Sequence, residues 1–513
     1  MSFTIRPIRE EKKPGKFRKY AVIGTGILEA AVHLYHQMRH REEEVIESQK
    51  RTRFLKRSVT VLLAGLLILL LLIGTLKVLA RIKVISLSSM VRVVSTAPAH
   101  DEHGFTNMLL LGEGNSDHDG VDLTDTVMVV SLDPSATKSA VMLSLPRDLY
   151  FLSTEKMGKG RVNSLYRDYK SSLIRKGTER GEASAESMRE LAREIGKALG
   201  LQIHGTIKLN FSGFEQTIDA LGGIDIDVPE DLIDSEYPGP NYTYEEFRIG
   251  KGLQHLDGAT ALKYARSRHS TSDFSRSARQ QQIIVAASEK AKDKGILKSP
   301  RKISDIMGIV SKNMETTFQA RELLGFADFA KKIDRQNIIN MQLSDQNGLF
   351  GGLSEGGGFL YAPPREEFDG AAVFLPVSIP EFPITWKQLQ ALVTLLTTHR
   401  EAFIDPPSIL IANAGAKEGS ARLLGAELTR YGFNVIKTRN FAKSPNTPFD
   451  RSWMSVRQDN TKNMEPTLSL LSGLFDFTEM KTPPEGSFGE EKPDLLIVLG
   501  KDYRYDPLQD LLR

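Results

Sequence analysis

Residues 213–229, GFEQTIDALGGIDIDVP, change their pattern at a pair of glycines and thereby indicate the fold class. The residues before Gly222 have the spacing of an amphipathic helix. The two glycines, Gly222 and Gly223, interrupt that helix, and the apolar residues after them are typical of a strand. A helix followed directly by a strand favours an α/β protein.

Three apolar runs upstream of this stretch predict buried strands. The first two are Asn107–Gly112, NMLLLG, and Thr126–Leu132, TVMVVSL, with a loop rich in Gly, Asp and His between them. The third begins at Val141 and ends in a Pro-Arg-Asp turn, which is expected to present Arg147 at the edge of the sheet. Strands that alternate with helices in this way predict an α/β domain.

The composition excludes several kinds of protein. The 513 residues allow two or three domains. With 67 basic and 64 acidic residues, the net charge is only +3, so the chain lacks the basic excess of a general nucleic-acid binder and no nucleic acid is expected as a partner. The absence of cysteine excludes disulfides, thiolate nucleophiles and cysteine metal sites.

A long apolar segment predicts a membrane anchor. Residues 59–76, VTVLLAGLLILLLLIGTL, contain no charge and approach the roughly 20 residues that a helix needs to cross a bilayer. The segment follows nearly sixty mostly polar residues and has no small-residue cleavage pattern after it, so it does not resemble a cleaved signal peptide. We therefore predict one uncleaved transmembrane helix, at residues 58–80, and a lipid bilayer as a partner.

The charges beside this segment predict its orientation. Five basic residues precede it between Lys50 and Arg57, whereas only Lys77, Arg81 and Lys83 follow it closely. Basic residues are enriched on the cytoplasmic side of membrane spans. The N-terminus is therefore expected in the cytoplasm, and the C-terminal domains are expected outside the cell membrane.

The loop between the first two strands contains four aspartates. Asp117, Asp119, Asp122 and Asp125 lie close together at the end of a strand, where carboxylates can hold Mg²⁺. Aspartate and glycine are also ordinary turn residues, and on these residues alone a solvated acidic turn is the better interpretation.

A second cluster, residues 264–280, carries four arginines against one acid. Asp273 is placed to cap a following helix, Arg276 falls in its first turn, and Gln280 lies one turn further on the same face. Helix N-termini and arginine side chains both bind phosphate. Alternation predicts that Arg266 and Arg268 share one face of an extended segment. The alternative interpretation is surface salt bridging, but few acids lie nearby to pair with the arginines.

Taken together, these stretches resemble the LytR-CpsA-Psr family of cell-envelope phosphotransferases over about residues 105–345. The matching stretches occur in the family's order and are 107–112, 124–128, 143–148, 208–214, 221–229, 252–258 and 264–268 with 276–281. The resemblance implies an α/β domain with a central mixed sheet flanked by helices. It also implies an enzyme that moves a polyprenyl-pyrophosphate-linked glycopolymer onto peptidoglycan, with Mg²⁺ as cofactor.

The resemblance also assigns roles to individual residues. Asp125 matches the family's Mg²⁺-binding aspartate, and Gln280 matches the glutamine that accompanies the substrate-binding arginines. Asp273 matches an acid that orients an arginine or assists deprotonation of the acceptor. The residues that match the pyrophosphate-binding arginines are Arg147, Arg266, Arg268 and Arg276, the last of which is also predicted to take part in catalysis with Asp273.

Two positions depart from the family pattern. Many members have an aspartate where this chain has Gly114 and an arginine where it has Leu123. One metal ligand and one phosphate contact are therefore missing from their usual places. Asp119, in the same loop, is a candidate replacement for the missing metal ligand.

The C-terminal part resembles the small LytR C-terminal domain, because it combines apolar strands near 409–415, 431–435 and 494–503 with a helix pattern ending at Arg430. Residues 443–486, rich in Pro, Ser and Asn, are expected to form a mobile loop. The predicted organisation is a cytoplasmic segment (1–57), a transmembrane helix (58–80), a connector (81–104), the catalytic domain (105–345), a glycine-rich extension and linker (346–404) and a small α/β C-terminal domain (405–513).

Two other functions remain open at this stage. The chain has no Gly-x-Ser-x-Gly elbow, Walker A loop or His-Glu-x-x-His zinc motif. A non-catalytic envelope binding or regulatory protein would use the same arginines to hold an anionic glycopolymer, and the departures at Gly114 and Leu123 favour it. A hydrolase would pass the same pyrophosphate substrate to water.

Overall fold

Strands and helices alternate along the chain from Thr106 onward. The computed structural model describes residues 97–115, 121–239, 243–267, 273–345, 348–349, 352–353, 358–441 and 450–512. The strands are β1 (Thr106–Glu113), β2 (Thr124–Asp133), β3 (Ser139–Leu145), β4 (Tyr150–Phe151), β5 (Gly160–Arg161), β6 (Gly205–Asn210), β7 (Ile224–Val228), β8 (Leu232–Pro238), β9 (Tyr244–Ile249), β10 (Gly252–Leu256), β11 (Met314–Thr316), β12 (Ile338–Gln342), β13 (Gly348–Leu349), β14 (Gly352–Leu353), β15 (Leu360–Tyr361), β16 (Leu375–Pro376), β17 (Ile409–Asn413), β18 (Val435–Asn440), β19 (Trp453–Val456), β20 (Thr478–Glu479) and β21 (Leu495–Leu499). The α-helices are α1 (Val162–Arg175), α2 (Arg180–Leu199), α3 (Phe211–Ala220), α4 (Gly258–Arg266), α5 (Asp273–Asp293), α6 (Pro300–Val310), α7 (Ala320–Lys332), α8 (Lys387–Thr398), α9 (Glu401–Ile404), α10 (Ser420–Arg430), α11 (Glu465–Phe475) and α12 (Leu508–Leu511).

An eight-stranded mixed sheet forms the centre of the first half. Its strand order is β11-β6-β1-β2-β3-β12-β13-β14. β1 is antiparallel to β2 and parallel to β6, and β3 is parallel to β12. All seven residues of β3 are buried, as expected for a continuous apolar strand with both faces covered. The predicted central mixed sheet is therefore confirmed.

Helices cover both faces of this sheet because successive residues of a strand point to opposite sides. On one face, Leu109 and Val129 join a core that also contains Leu165 of α1 and Leu191 of α2. On the other face, Met108 and its neighbours pack against residues of α5 and α7. β1 thus supplies apolar residues to two cores.

Two short helices beside the sheet begin at capping residues. The strand β6 ends at Asn210, whose Oδ1 accepts a hydrogen bond from the Gly213 backbone N–H at 2.9 Å and caps α3. Asp257 caps α4 in the same way, by accepting from the Thr260 backbone N–H at 2.8 Å. α3 and α4 share a smaller core with β7, β8, β9 and β10.

The position of Arg266 corrects one prediction. Alternation predicted an extended segment, but Arg266 is the last residue of α4. The cap at Asp257 begins a helix there, and the buried residues Ala261, Leu262 and Ala265 keep one face of that helix on the core. Helical periodicity therefore prevails up to Arg266.

A second sheet follows in the C-terminal part, with the strand order β18-β17-β21-β19-β20. β17, β18 and β21 are parallel. The mobile loop expected at residues 443–486 is a wrong prediction for its described part, 450–486, because β19, α11 and β20 lie there. Trp453 and Leu471 are buried, and this burial holds the segment in regular structure.

The predicted membrane span at residues 58–80 lies outside the described residues. Within the described ranges, no helix combines the length and the apolar character needed to cross a bilayer.

Candidate active site

A cavity of about 460 Å³ opens beside the carboxyl ends of β1 and β6. Most of its walls are apolar, and they include Leu110, Met128, Ile207, Phe211 and Ile284. The polar side chains that line it are Glu113, Asp125, Thr126, Asn210, Asp234, Arg266, Arg276 and Gln280. Four residues predicted from the sequence, Asp125, Arg266, Arg276 and Gln280, therefore line one cavity.

Arg266 is held at this cavity from two sides. Its Nη1 donates to the Tyr237 hydroxyl at 3.0 Å, and its guanidinium lies 4.3 Å from the centre of the Phe211 ring. Tyr237 comes from β8 and Phe211 begins α3. The planar guanidinium thus has a fixed orientation, as bidentate recognition of phosphate oxygens requires.

Helix α5 contributes Arg276 and Gln280 to the same cavity. Arg276 is buried, and the Gln280 side-chain amide donates to the Ala265 carbonyl at 3.4 Å. Arg279 has a different role, since its Nε donates to the Tyr264 carbonyl at 2.8 Å and its Nη2 donates to the Ser267 carbonyl. Burial lowers the pKa of Arg279. Arg279 therefore fixes the end of α4 and is not among the residues that line the cavity.

Asp234 is a buried acid of the cavity that the sequence analysis missed. Its Oδ2 accepts from the Ser267 hydroxyl at 2.6 Å, and its Oδ1 accepts from the Glu236 backbone N–H at 3.2 Å. Asp234 also raises the pKa of the nearby Arg279 electrostatically, against the larger effect of burial. It is thus a counter-charge for the arginine cluster. Its sequence signal was weak, because exposed acids surround it in the sequence at and just before β8.

Asp125 is joined to Arg147 across the start of β2. The distance from Asp125 Oδ2 to Arg147 Nη1 is 3.4 Å, and Asp125 Oδ1 accepts from the Asn163 side-chain amide at 3.2 Å. Arg147 also lies 3.6 Å from Asp148, which accepts from Arg161 at 3.0 Å. Arg147 is therefore next to the cavity through Asp125, although it does not line the cavity itself.

A buried ion pair adjoins Asp125, and sequence reasoning missed it as well. Glu113, the last residue of β1, accepts from Lys208 Nζ at 2.7 Å. Burial raises the pKa of Glu113, although Lys208 opposes the shift. Burial alone would lower the pKa of Lys208, but Tyr166 and Glu113 raise it above its ordinary value. The available signal was a lysine within the apolar pattern of β6.

Three predicted site residues cannot be placed. Asp119 and Arg268 lie outside the described residues, and so does the side chain of Asp273. The helix α5 begins at Asp273, where the sequence predicted a helix start.

The described residues fit a magnesium ion of the kind that binds through few protein ligands. Among them, no group of three or more His, Asp or Glu side chains could hold a metal. Mg²⁺ commonly binds through one or two carboxylates together with water and substrate phosphates. Asp125, whose side chain is 48% exposed, and Glu113, whose buried Oε2 has no hydrogen-bond partner among the described residues, line the same cavity. Two such carboxylates suit that coordination.

Comparison with known families assigns the chain to one of them. The profile of the LytR_cpsA_psr family matches residues 81–367, which is more than half of the chain. The chain belongs to the LytR_cpsA_psr family. The cavity and all its lining residues fall within the match to LytR_cpsA_psr.

Two curated relatives of this LytR_cpsA_psr protein are named as transferases. The polyisoprenyl-teichoic acid–peptidoglycan teichoic acid transferase TagU of Oceanobacillus iheyensis is 28% identical over 257 residues, which cover 50% of this chain and 71% of TagU. The corresponding transferase TagV of Bacillus subtilis is 30% identical over 229 residues, which cover 43% of this chain and 52% of TagV. The chain thus spans about half the length of TagV.

The solved structures that resemble the chain include that of B. subtilis TagV. It has 23% sequence identity and a TM-score of 0.40, and the similarity covers 56% of this chain and 96% of that chain.

Proposed function

We propose that this protein is a membrane-anchored phosphotransferase that moves a glycopolymer from a polyprenyl-pyrophosphate carrier onto peptidoglycan. The observation that carries the proposal is one cavity with apolar walls, two arginines and a half-exposed aspartate. An apolar wall suits a prenyl chain, and guanidinium groups suit a pyrophosphate. The names of the relatives TagU and TagV support the same kind of donor and acceptor.

In this proposal, the arginines bind the pyrophosphate. Arg266 is fixed by Tyr237 and Phe211, and Arg276 extends from the first turn of α5. Arg147 and Arg268 complete the set, and Gln280 adds an amide beside Arg276. Charge that develops on the phosphate oxygens is stabilised by such preorganised donors.

The reaction exchanges one phosphorus–oxygen bond for another. A hydroxyl of the peptidoglycan sugar attacks the phosphorus that carries the glycopolymer, and a new O–P bond forms. The bond from that phosphorus to the bridging oxygen breaks, and polyprenyl phosphate leaves with the electron pair. The hydroxyl proton is lost to solvent or to a carboxylate. Asp273 is the candidate carboxylate, although its first proposed role is to orient Arg276.

Asp125 would hold a Mg²⁺ ion in this site, and Asp119 is the candidate from the sequence for a second ligand. The ion would neutralise charge on the pyrophosphate and on the leaving group. Arg147, 3.4 Å from Asp125, keeps that carboxylate oriented towards the cavity.

The proposal also includes the location of the protein. Residues 1–57 would lie in the cytoplasm, residues 58–80 would span the membrane, and the cavity would lie outside, where peptidoglycan is. The C-terminal sheet around β17 and β21 would correspond to the small LytR C-terminal domain, with a binding or positioning role.

Reconstituted transfer tests the proposed function. The full-length protein in detergent would be incubated with a short polyprenyl-pyrophosphate oligosaccharide, Mg²⁺ and peptidoglycan fragments, and the variants Arg266→Ala and Asp125→Ala would be compared with wild type. We expect the wild type to form a phosphodiester product in a reaction that depends on Mg²⁺. Each variant should form this product at a rate about 10²- to 10³-fold lower. Free glycan phosphate without transfer would support the hydrolase, and tight binding without turnover would support a binding protein.

A further inference from the structure

The strand pair β1–β2 brings a second carboxylate next to Asp125. The two strands pair regularly up to Gly112, which faces Thr126, but the next residue, Glu113, faces Thr124. Asp125 is therefore an extra residue in β2, and Thr124 and Asp125 together oppose Glu113. Bulges of this kind redirect a side chain near a site.

One oxygen of Glu113 is held by a lysine and the other is available. Glu113 Oε1 accepts from Lys208 Nζ at 2.7 Å, whereas the buried Oε2 has no hydrogen-bond partner among the described residues. The Glu113 side chain is only 14% exposed, and it lines the cavity that Asp125 also lines. A buried carboxylate oxygen without a partner is costly, unless a ligand satisfies it.

The charges around Lys208 favour the binding of a cation. The Lys208 side chain is 2% exposed and lies 3.0 Å from Glu315 as well as 2.7 Å from Glu113, so two carboxylates share one ammonium group. Lys208 also lies 4.8 Å from the centre of the Tyr166 ring, which fixes it further. This cluster carries an excess of one negative charge.

Asp122, a further aspartate of the predicted loop that the structure describes, is less available, because it is paired with Lys170 Nζ at 2.6 Å. The family's usual second acid would occupy the position of Gly114, directly after Glu113. The side chain of glutamate is one methylene longer than that of aspartate, and Glu113 stands one residue before the position of the family's aspartate.

We propose that Glu113 is the second carboxylate ligand of the divalent cation, beside Asp125, and replaces the aspartate that is missing at Gly114. The inference rests on the proposed function, since it concerns the metal of that same site. Glu113 Oε2 and one Asp125 oxygen bind the cation, while phosphate oxygens and water complete its shell. Lys208 is a positioning residue that holds Oε1 and directs Oε2 to the cavity.

Metal binding tests this inference without relying on turnover. Mn²⁺ would be titrated into the full-length protein in detergent, with and without inorganic pyrophosphate, and the loss of the free Mn²⁺ signal would be followed by electron paramagnetic resonance. We expect Glu113→Gln and Asp125→Asn each to weaken Mn²⁺ binding by at least about tenfold. The matched control is Glu246→Gln, which removes an exposed carboxylate that pairs with Arg248 away from the cavity and should leave the affinity as in wild type.

A rescue variant keeps the test informative even if Glu113→Gln perturbs the fold. Gly114→Asp restores the acid of the family pattern, so adding it to Glu113→Gln should return Mn²⁺ affinity to within a few fold of wild type. A merely structural role of Glu113 would not predict this recovery. Thermal melts of every variant would report the folded fraction.

Several results would overturn the inference. The first is that Glu113→Gln binds Mn²⁺ as tightly as the wild type does. The second is that Asp119→Asn loses Mn²⁺ affinity while Glu113→Gln does not, and the third is that the wild type binds no Mn²⁺. Failure of the proposed function has a different signature, namely Mn²⁺ binding that depends on Glu113 in a protein that forms no phosphodiester product.

Discussion

At the scale of single residues, Arg266 depends on its shape as well as its charge. Its guanidinium is held between the Tyr237 hydroxyl, at 3.0 Å, and the Phe211 ring, at 4.3 Å. A lysine ammonium keeps the charge but has neither the planar fork nor the stacking surface. The proposed site therefore needs an arginine at this position.

We expect Arg266→Lys to lower kcat/KM for phosphodiester formation by about 10- to 100-fold, because the fixed pair of donors is lost. The measurement is the initial rate of transfer by the full-length protein. Arg248→Lys is the matched control, since Arg248 lies on β9 in an exposed ion pair with Glu246. An equal rate for Arg266→Lys and wild type would contradict the assigned role.

Sequence reasoning found two arginines and a glutamine of the cavity but not its buried acids. Arg266, Arg276 and Gln280 stood out because residues 264–280 concentrate basic residues in a family pattern. Asp234 and Glu113 did not, because a single acid on a strand has no pattern of its own. Their importance follows from burial beside Arg279 and Lys208, which only the packed chain provides.

At the scale of elements, the helices α3 and α4 approach each other closely at Gly258. A Cβ atom on Gly258 would lie 2.3 Å from the Glu215 carbonyl oxygen, and its backbone N–H donates to Asp219 at 2.7 Å. The obstacle is backbone, so it cannot rotate away. Gly258 therefore sets the position of α4, which carries Arg266 at its end.

The variant Gly258→Ala should destabilise the protein by about 1–3 kcal/mol, because the helices must separate. It should also slow transfer, since a shift of α4 displaces Arg266. Denaturant unfolding and initial rates measure the two effects. Gly308→Ala in α6 is the control, because no atom outside its own helical turn lies within 4 Å of the position that a Cβ would take. We expect it to be neutral or stabilising by up to about 1 kcal/mol. Equal stability of the two variants would argue against the close approach.

The connection between β2 and β3 is organised by one buried carboxylate. Asp133 accepts from the backbone N–H groups of Ser135, Ala136 and Thr137 at 2.9–3.0 Å, and from the Thr137 hydroxyl at 2.7 Å. Burial alone would raise the pKa of Asp133, but these hydrogen bonds lower it below its usual value. The ionised form therefore stabilises the fold.

This lowered pKa predicts a pH dependence of stability. The contribution of Asp133 is fully present above the pKa of an unfolded aspartate, about 3.9, and is lost as the pH falls through the lower folded-state pKa. Asp133→Asn should lower the free energy of unfolding by about 1.5–3 kcal/mol at pH 7. The difference in this free energy between the variant and wild type should shrink towards pH 3. Unfolding free energies measured from pH 7 to pH 3 test this. The exposed control Asp405→Asn should change stability by less than about 0.5 kcal/mol. A difference from wild type that grew on acidification would contradict the assignment.

At the scale of the whole described chain, the two sheets share one hydrophobic core. Leu109 of the first sheet and Ile411 of the second belong to it, together with Leu392 of α8. Arg400, between α8 and α9, is buried as well, and it donates to the Ser131 hydroxyl at 2.9 Å while its guanidinium lies 4.0 Å from the Phe105 ring. Burial lowers the pKa of Arg400 to about 10. The C-terminal part is thus joined to β2 by polar as well as apolar contacts.

Because of this shared core, we expect calorimetry to detect one cooperative unfolding transition for both sheets. Arg400→Ala should lower the free energy of unfolding of the protein by about 2–4 kcal/mol, because buried hydrogen bonds and buried side-chain volume are lost. The surface control is Arg335→Ala, whose ion pair with Glu289 is exposed and should contribute less than about 0.5 kcal/mol. Two separate transitions in the wild type would contradict the shared core.

The sequence by itself determined the α/β class, the buried strands β1, β2 and β3, and three of the residues that line the cavity, Arg266, Arg276 and Gln280. These features depend on local pattern, namely apolar runs, glycine pairs and a run of basic residues, and such patterns are present in the linear chain. Only the tertiary structure decided that Arg266 ends a helix, that residues 450–486 fold, and that Glu113 pairs with Lys208 beside Asp125. Those outcomes depend on burial and on contacts between residues far apart in sequence, such as the 95-residue separation of Glu113 and Lys208.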